Sequence, residues 1–147
     1  MKRRWIAALI LVVGSLASAQ GPSESFPSSV TMKQLMVDLI YPAANEILLF
    51  VNRGNPKNDQ EWVAVRRGAV TLAEAGTLLT MRGRAIDQGE WMKDARLLAD
   101  AGAAAYKAAQ ARDAKALAAL SESLDASCTT CHKQYRPNVF PREGASK

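Results

Sequence analysis

Apolar side chains recur at steps of three and four residues in four stretches of this chain, and that spacing constrains the fold more than any other feature. Such a period places the apolar residues of each stretch along one face of an α-helix. Short turn-rich segments separate the stretches, and none shows the alternation typical of a β-strand. Helices of about 20 residues joined by short loops predict an all-α fold, an antiparallel four-helix bundle with up-down-up-down order.

The first of the four helices is predicted from near Val30 to near Asn52. Its apolar face consists of Met32, Leu35, Met36, Leu39, Ile40, Ala43 and Ile47. Pro42 lies within this stretch and has no amide N–H to donate to the Asp38 carbonyl. The sequence therefore predicts a kink at Pro42, with a break after Tyr41 as the alternative.

Two pairs of residues have the spacing of helix N-terminal caps. Asn58 is followed three residues later by Glu61, and Asp87 by Glu90. In such a pair the first side chain accepts a hydrogen bond from the backbone of the first turn. The second and third helices are therefore expected to begin just after Asn58 and Asp87.

The fourth helix is predicted to start near Asp113 and to end before Pro137, because a helix rarely continues into the residue that precedes a proline. The length of 147 residues is typical of a single domain. We expect the bundle to occupy residues 30–137. The Pro/Ser-rich residues 20–29 form a flexible lead-in, and residues 138–147 form a C-terminal tail.

Residues 1–19 have the pattern of a secretory signal. Three basic residues follow Met1, an apolar stretch comes next, and Ala17 and Ala19 form an A-x-A cleavage site. A retained membrane anchor is the alternative, but about 12 apolar residues span only ~18 Å as a helix, short of a ~30 Å hydrocarbon core. Cleavage after Ala19 would release the mature chain outside the cytoplasm, in the periplasm.

Most of the net charge of +5 comes from this export segment. Lys plus Arg total 19 and Asp plus Glu total 14, and three of the cations precede the apolar stretch. The remaining chain is nearly neutral, which argues against nucleic acid as a partner. An apolar share of 48% excludes disorder, and two cysteines are too few for a disulfide scaffold. We expect no further segment that is apolar enough to span a membrane, and therefore no stable membrane span.

The sequence Cys128-Thr129-Thr130-Cys131-His132 is a C-x-x-C-H motif, the signature of c-type haem attachment. It contains the only two cysteines and the only histidine of the chain. Residues at i, i+3 and i+4 of a helix share one face. One helical turn could therefore supply two thioether bonds to a single haem c and the proximal iron ligand, His132.

The motif has three other interpretations. A redox-active dithiol would need a strand-turn-helix setting, which the helical pattern does not provide. A disulfide within one helical turn is geometrically awkward. Zinc would lack two of its four usual ligands unless carboxylates supplied them. Haem is favoured, and the export signal agrees because covalent haem attachment is expected outside the bacterial cytoplasm.

With C-x-x-C-H on its last helix, followed by Lys133-Gln134-Tyr135-Arg136, the chain resembles the class II cytochromes c, the cytochrome c′ and cytochrome c-556 group. The resemblance runs from about Val30 to Arg136. It implies that Arg136 lies near a haem propionate; the alternative is an exposed cation favoured at a helix C-terminus. Members of the family often dimerise through outer helix faces, so a homodimer is one expectation.

The second axial ligand of the iron cannot be a histidine, since His132 is the only one. The resemblance to the c-556 branch implies a methionine of the first helix, and Leu35-Met36 is the best match. Met36 is therefore predicted as the distal iron ligand, with Met32 as second choice and an open site as the alternative. Val37 departs from the family pattern, which has lysine there, and ordinary core packing would also explain both methionines.

The distal ligand decides the predicted function. His/Met ligation saturates the iron and raises its potential, which suits a carrier of single electrons between periplasmic redox partner proteins. Such a protein is not an enzyme. An open site would resemble the c′ branch, which binds nitric oxide or carbon monoxide. A haem with only a structural role is a third possibility, and Trp62 and Trp91 are expected to be core anchors.

Overall fold

Helix is the only regular secondary structure in residues 27–138, the part of the chain that this computed structural model describes. Within that part 76% of the residues are helical, and four helical units are compatible with a helical bundle. The prediction of an all-helical fold is confirmed. The predicted signal segment 1–19, the lead-in up to residue 26 and the tail from residue 139 lie outside the described residues.

The first helix, α1, spans Met32–Asn52. Thr31 caps it, because its Oγ1 accepts a hydrogen bond from the Gln34 backbone N–H at 3.2 Å. The Gln34 side chain returns the contact by accepting from the Thr31 N–H at 3.0 Å. This capping box satisfies backbone donors that the first helical turn leaves unpaired.

A π-helical segment, Leu35–Ile40, interrupts the α-helical hydrogen bonding of α1. The Tyr41 N–H donates to the Met36 carbonyl, five residues earlier, and α-helical hydrogen bonding resumes from Tyr41. Pro42 has no N–H to donate to the carbonyl four residues before it, so one α-helical hydrogen bond is missing there. The π-helical segment lies directly before this missing bond. The irregularity expected at Pro42 is thus a π turn that precedes it, and a break after Tyr41 is wrong.

The π turn also changes which side chains of α1 are buried. Leu35 is 3% exposed and Ile40 is 5% exposed, although they are five residues apart. Leu39, which the helical period placed on the buried face, is 38% exposed. The prediction for Leu39 is wrong because the sequence pattern assumed 3.6 residues per turn, whereas this segment has more residues in each turn.

Helix α2 spans Asp59–Leu79, and its predicted cap is confirmed. The Asn58 Oδ1 accepts a hydrogen bond from the Glu61 N–H at 3.0 Å. The Glu61 carboxylate accepts from the Lys57 N–H at 2.6 Å, one residue before the cap. The two side chains therefore fix the direction in which the chain enters α2.

Helix α3 spans Glu90–Ala111, and its start is later than predicted. The cap residue is Gly89, and Glu90 pairs with Lys93 and not with the cap backbone. The Asp87 Oδ1 accepts from the N–H groups of Gly89 at 2.7 Å and Trp91 at 3.2 Å. Asp87 thus accepts from backbone N–H groups at the start of α3, as predicted. It is not the cap residue, however, because the helix begins two residues later than predicted.

The fourth helical unit is divided into α4, Ala114–Ala119, and α5, Ser121–Tyr135. Asp113 caps α4 as predicted, since its Oδ1 accepts from the backbone N–H three residues later at 2.9 Å. Leu120 separates the two segments. Helix α5 ends two residues before Pro137, in agreement with the predicted end.

Glycine allows the backbones of α2 and α3 to approach each other. A Cβ atom at Gly102 would lie 2.4 Å from the Ala73 backbone nitrogen, and one at Gly76 would lie 2.7 Å from the Ala95 carbonyl oxygen. Both distances are far below van der Waals contact. The core beside these contacts is aliphatic, and its largest fully buried side chains are Ile47, Val65, Leu72, Leu117 and Leu124.

We expect Gly102→Ala to lower the free energy of unfolding by about 1 kcal/mol, because an overpacking cost of about 2 kcal/mol is offset in part by a gain of about 1 kcal/mol in helix propensity. The denaturant midpoint in urea at unchanged slope measures the effect. Ala103→Ser, on the exposed side of the same helix, is the control and should change stability by less than about 0.5 kcal/mol. Equal stability of Gly102→Ala and the parent chain would contradict the close approach.

Helix α1 is also long and apolar enough, by length and composition alone, to cross a membrane. A core helix of a soluble protein passes the same test, and here Ile47 is fully buried. Val37 and Tyr41 are exposed at 55% and 67%, yet both line the cavity described next. The prediction that no further segment is apolar enough to span a membrane is therefore wrong for α1, whereas the absence of a stable membrane span stays a prediction.

Candidate cofactor site

A cavity of ≈ 440 Å³ lies between α1, α3 and α5, with a small contribution from the end of α2. Most of its wall is apolar. Helix α1 contributes mainly aliphatic side chains, and α3 contributes Trp91, Ala95 and Leu98. The volume is in the range of small-molecule and cofactor sites, which are mostly apolar with a few polar groups.

All three chemically active residues of the C-x-x-C-H motif line this cavity from α5. Cys131 is buried, whereas Cys128 and His132 are half-buried. Their spacing of three and four residues brings them to one helix face, which is the placement that the sequence predicts. The cavity wall therefore presents two sulfur atoms and one imidazole within a single helical turn.

The protonation states of these groups follow from burial. Burial raises the pKa of Cys128, and burial together with the Asp94 carboxylate raises the pKa of Cys131 to about 12. Both cysteines are free thiols in the structure. A reactive dithiol needs the thiolate form, which a lowered pKa would supply. The raised values therefore do not favour that interpretation.

His132 is expected to be neutral at neutral pH. Burial lowers its pKa, and the nearby Arg136 guanidinium lowers it further. A neutral imidazole keeps a nitrogen lone pair, which is the form that binds a metal ion. His132 therefore has the protonation state that an axial iron ligand requires.

Met36 lines the same cavity from α1, on a different helix from His132. It is half-buried and belongs to the π segment, a kind of irregularity that is frequent at functional sites. Met32, the second candidate, is also half-buried but does not line the cavity. Of the two methionines that the sequence singles out, the structure brings only Met36 together with the motif.

Arg136 lines the cavity at the end of α5. It follows the last helical residue, and its backbone N–H donates to the His132 carbonyl at 2.8 Å. Its side chain is exposed. The guanidinium therefore lies where it can reach both solvent and the contents of the cavity.

Comparison with known proteins adds no relative to this description. No family model, curated protein or solved structure matches the chain. The resemblance to the class II cytochromes c depends on the haem motif, its place on the last helix and the residues that follow it. Membership of that family stays a prediction.

An aromatic contact fixes the helix that carries the motif. The Trp91 ring, 3% exposed, lies edge-to-face with Tyr135 at a centroid distance of 4.9 Å. The Trp91 Nε1 donates to the Leu79 carbonyl at 2.8 Å, and the Tyr135 hydroxyl donates to Asp87. This bond lowers the pKa of Asp87, while burial and the same carboxylate raise the pKa of Tyr135 to about 12. The ends of α2 and α5 are thus joined to the start of α3.

Asp94 is a cavity residue that the sequence patterns did not predict. This residue of α3 lines the cavity, is 5% exposed and lies beside Cys131. Its position held a signal, because Asp94 follows Trp91 by three residues and precedes Leu98 by four, on the buried stripe of α3. A carboxylate on an apolar stripe is a functional candidate, since burial of an unpaired charge is costly.

Proposed function

We propose that the protein is a periplasmic mono-haem c-type cytochrome that carries single electrons. Cys128 and Cys131 would hold the haem through thioether bonds, and His132 and Met36 would be the two axial iron ligands. The observation that carries the proposal is that these four side chains line one apolar cavity from two helices.

The residues present fit a haem group. A porphyrin is flat and largely apolar, and the cavity offers apolar side chains from α1 and α3 on either side of the motif. Val37 and Tyr41 expose much of their surface beside the cavity, and a bound porphyrin would cover apolar area of this kind. Cys128 and Cys131 are free thiols, the oxidation state from which thioether bonds to the vinyl groups of haem would form.

Haem supplies an iron that changes by one electron between its ferric and ferrous states. The chain's own residues set how that change is used. His132 would supply a neutral nitrogen to the iron, and the soft Met36 thioether would be its second protein ligand and would raise its reduction potential. Trp91 and Leu98 keep the cavity wall apolar, and Arg136 could pair with a propionate through its forked guanidinium.

The arrangement of helices that we propose is the antiparallel, up-down-up-down bundle. It is supported by the order of contacts between α2 and α3. Gly76, late in α2, lies against Ala99, early in α3, whereas Gly102 lies against Ala73. Residues further along one helix therefore contact residues earlier in the other.

Location and partners are proposed from the sequence. The export signal in residues 1–19 supports the periplasm, where redox partner proteins would supply and accept the electron. The nearly neutral mature chain does not favour nucleic acid. A homodimer remains an expectation of the family resemblance.

The test is the spectrum of the protein produced with a bacterial haem-attachment system. We expect haem that survives acid-organic extraction, a low-spin ferric state with a methionine-to-iron charge-transfer band, and little carbon monoxide binding by the ferrous protein. Loss of haem on extraction would overturn the proposal. A high-spin spectrum with ready carbon monoxide binding would move the function to the five-coordinate, cytochrome c′-like gas-binding alternative.

A further inference from the structure

Asp94 is the only buried carboxyl among the described residues, with 5% of its surface exposed. Its Oδ2 has no hydrogen-bond partner in the described part of the chain, although the residue lines the cavity. Burial of a carboxylate oxygen without a partner is unfavourable in the ionised form, so such a group tends to become neutral. A proton on Oδ2 would remove this cost.

Most groups around Asp94 destabilise its negative charge. Cys131 contacts it from α5, Tyr135 lies nearby on the same helix, and the carboxylates of Glu90, at the start of α3, and of Asp87, just before that helix, act on it. Burial and these two carboxylates raise its pKa, which the Cys131 contact lowers in part. The other titratable or charged residues that line the cavity are Tyr41 of α1, Asp125, Cys128 and His132 of α5, and Arg136 just after it.

We propose that Asp94 is a redox-linked proton site, which binds a proton at Oδ2 when the haem iron is reduced and releases it when the iron is oxidised. This inference rests on the proposed function. The electron comes from an external one-electron donor protein, and the proton comes from solvent. The single bond formed is the O–H bond of the Asp94 carboxyl, and the same bond breaks when the electron leaves.

The physical reason is the change of charge within one apolar cavity. The extra positive charge of ferric iron favours the carboxylate form of Asp94, and reduction removes that charge. Burial and the negative neighbours then favour the neutral acid. The pKa of Asp94 therefore differs between the oxidised and the reduced protein. Between these two pKa values, the reduction potential must fall as the pH rises. The limit for one proton per electron is 59 mV for each tenfold change in proton concentration.

The experiment measures the midpoint potential of the haem-loaded protein from acid to alkaline pH. We expect a slope that approaches this limit in the parent chain and is absent in Asp94→Asn, which keeps the side-chain shape but cannot ionise. Asp125→Asn is the matched control, because it removes an exposed carboxyl that borders the same cavity, and it should keep the slope. A flat potential in the parent chain, or an equal slope in Asp94→Asn, would overturn the proposal.

A second measurement does not depend on how well the variant folds. Reduction of the parent protein should produce the infrared carbonyl band of a protonated carboxylic acid, and heavy-carbon labelling of aspartate should shift that band. A band that does not shift would belong to a haem propionate and would overturn the assignment to Asp94. If the chain carries no covalent haem, both this inference and the proposed function fail. Loss of haem on extraction distinguishes that outcome from the failure of this inference alone.

Discussion

The double variant Cys128→Ser, Cys131→Ser should lose all of its haem in acid-organic extraction, whereas the parent chain retains it. The two sulfur atoms line the cavity from one turn of α5, and nothing else in the motif can form a thioether bond. His132 would still bind iron, but a coordinate bond to imidazole breaks when acid protonates the ring. The measurement is haem absorbance in the protein fraction and in the extracted solvent.

Each single cysteine variant separates attachment from binding. One remaining thioether still holds the haem, so Cys128→Ser and Cys131→Ser should each retain haem on extraction, with a lower yield of holoprotein. Thr130→Ala is the control, because it changes an exposed residue inside the motif and leaves both sulfur atoms and His132 in place. Haem that remains covalently bound in the double variant would show that another group forms the bond.

Met36→Ala should open the sixth position of the iron. The ferric charge-transfer band should vanish, the ferrous protein should bind carbon monoxide readily, and the potential should fall on the order of 0.2 V, a part of the roughly 0.8 V over which axial ligands set haem potentials. The reason is the loss of the thioether that lines the cavity opposite the motif's helix. Spectra and potentiometric titration of the ferric and ferrous protein measure these changes.

Met32→Ala is the matched control for this experiment. Met32 is half-buried on the same helix, one turn earlier, and does not line the cavity. It should keep the charge-transfer band and resist carbon monoxide. Should Met32→Ala lose the band while Met36→Ala keeps it, the assignment of the distal ligand would be reversed. If neither variant changes the spectrum, methionine does not bind the iron.

Helix ends and the motif face were predictable from the sequence because they depend on local chemistry. Asn58 and Asp113 cap helices through side chains that reach their own first turns, and Pro137 stops α5 through its ring. The C-x-x-C-H residues share a face whenever the segment is helical. None of these features needs information from a distant part of the chain.

The remaining features depend on tertiary contacts or on competing local bonds. The π turn was not predicted, since the apolar period fits an α-helix with Leu39 buried as well as it fits the observed segment with Ile40 buried. The later start of α3 reflects the contacts of Asp87 with Tyr135 and with Trp91. Asp94 became a candidate only when the structure showed which cavity its stripe borders.

The π turn of α1 has an evolutionary consequence. Each residue of an α-helix advances the chain by about 100° around the axis. Deletion of one residue within Leu35–Ile40 would allow ordinary helical winding, and it would turn the preceding residues by about that angle while the helix beyond Tyr41 stayed packed. A single-codon insertion or deletion could thus exchange the side chain offered to the cavity, and convert a closed haem pocket into an open one without rebuilding the fold.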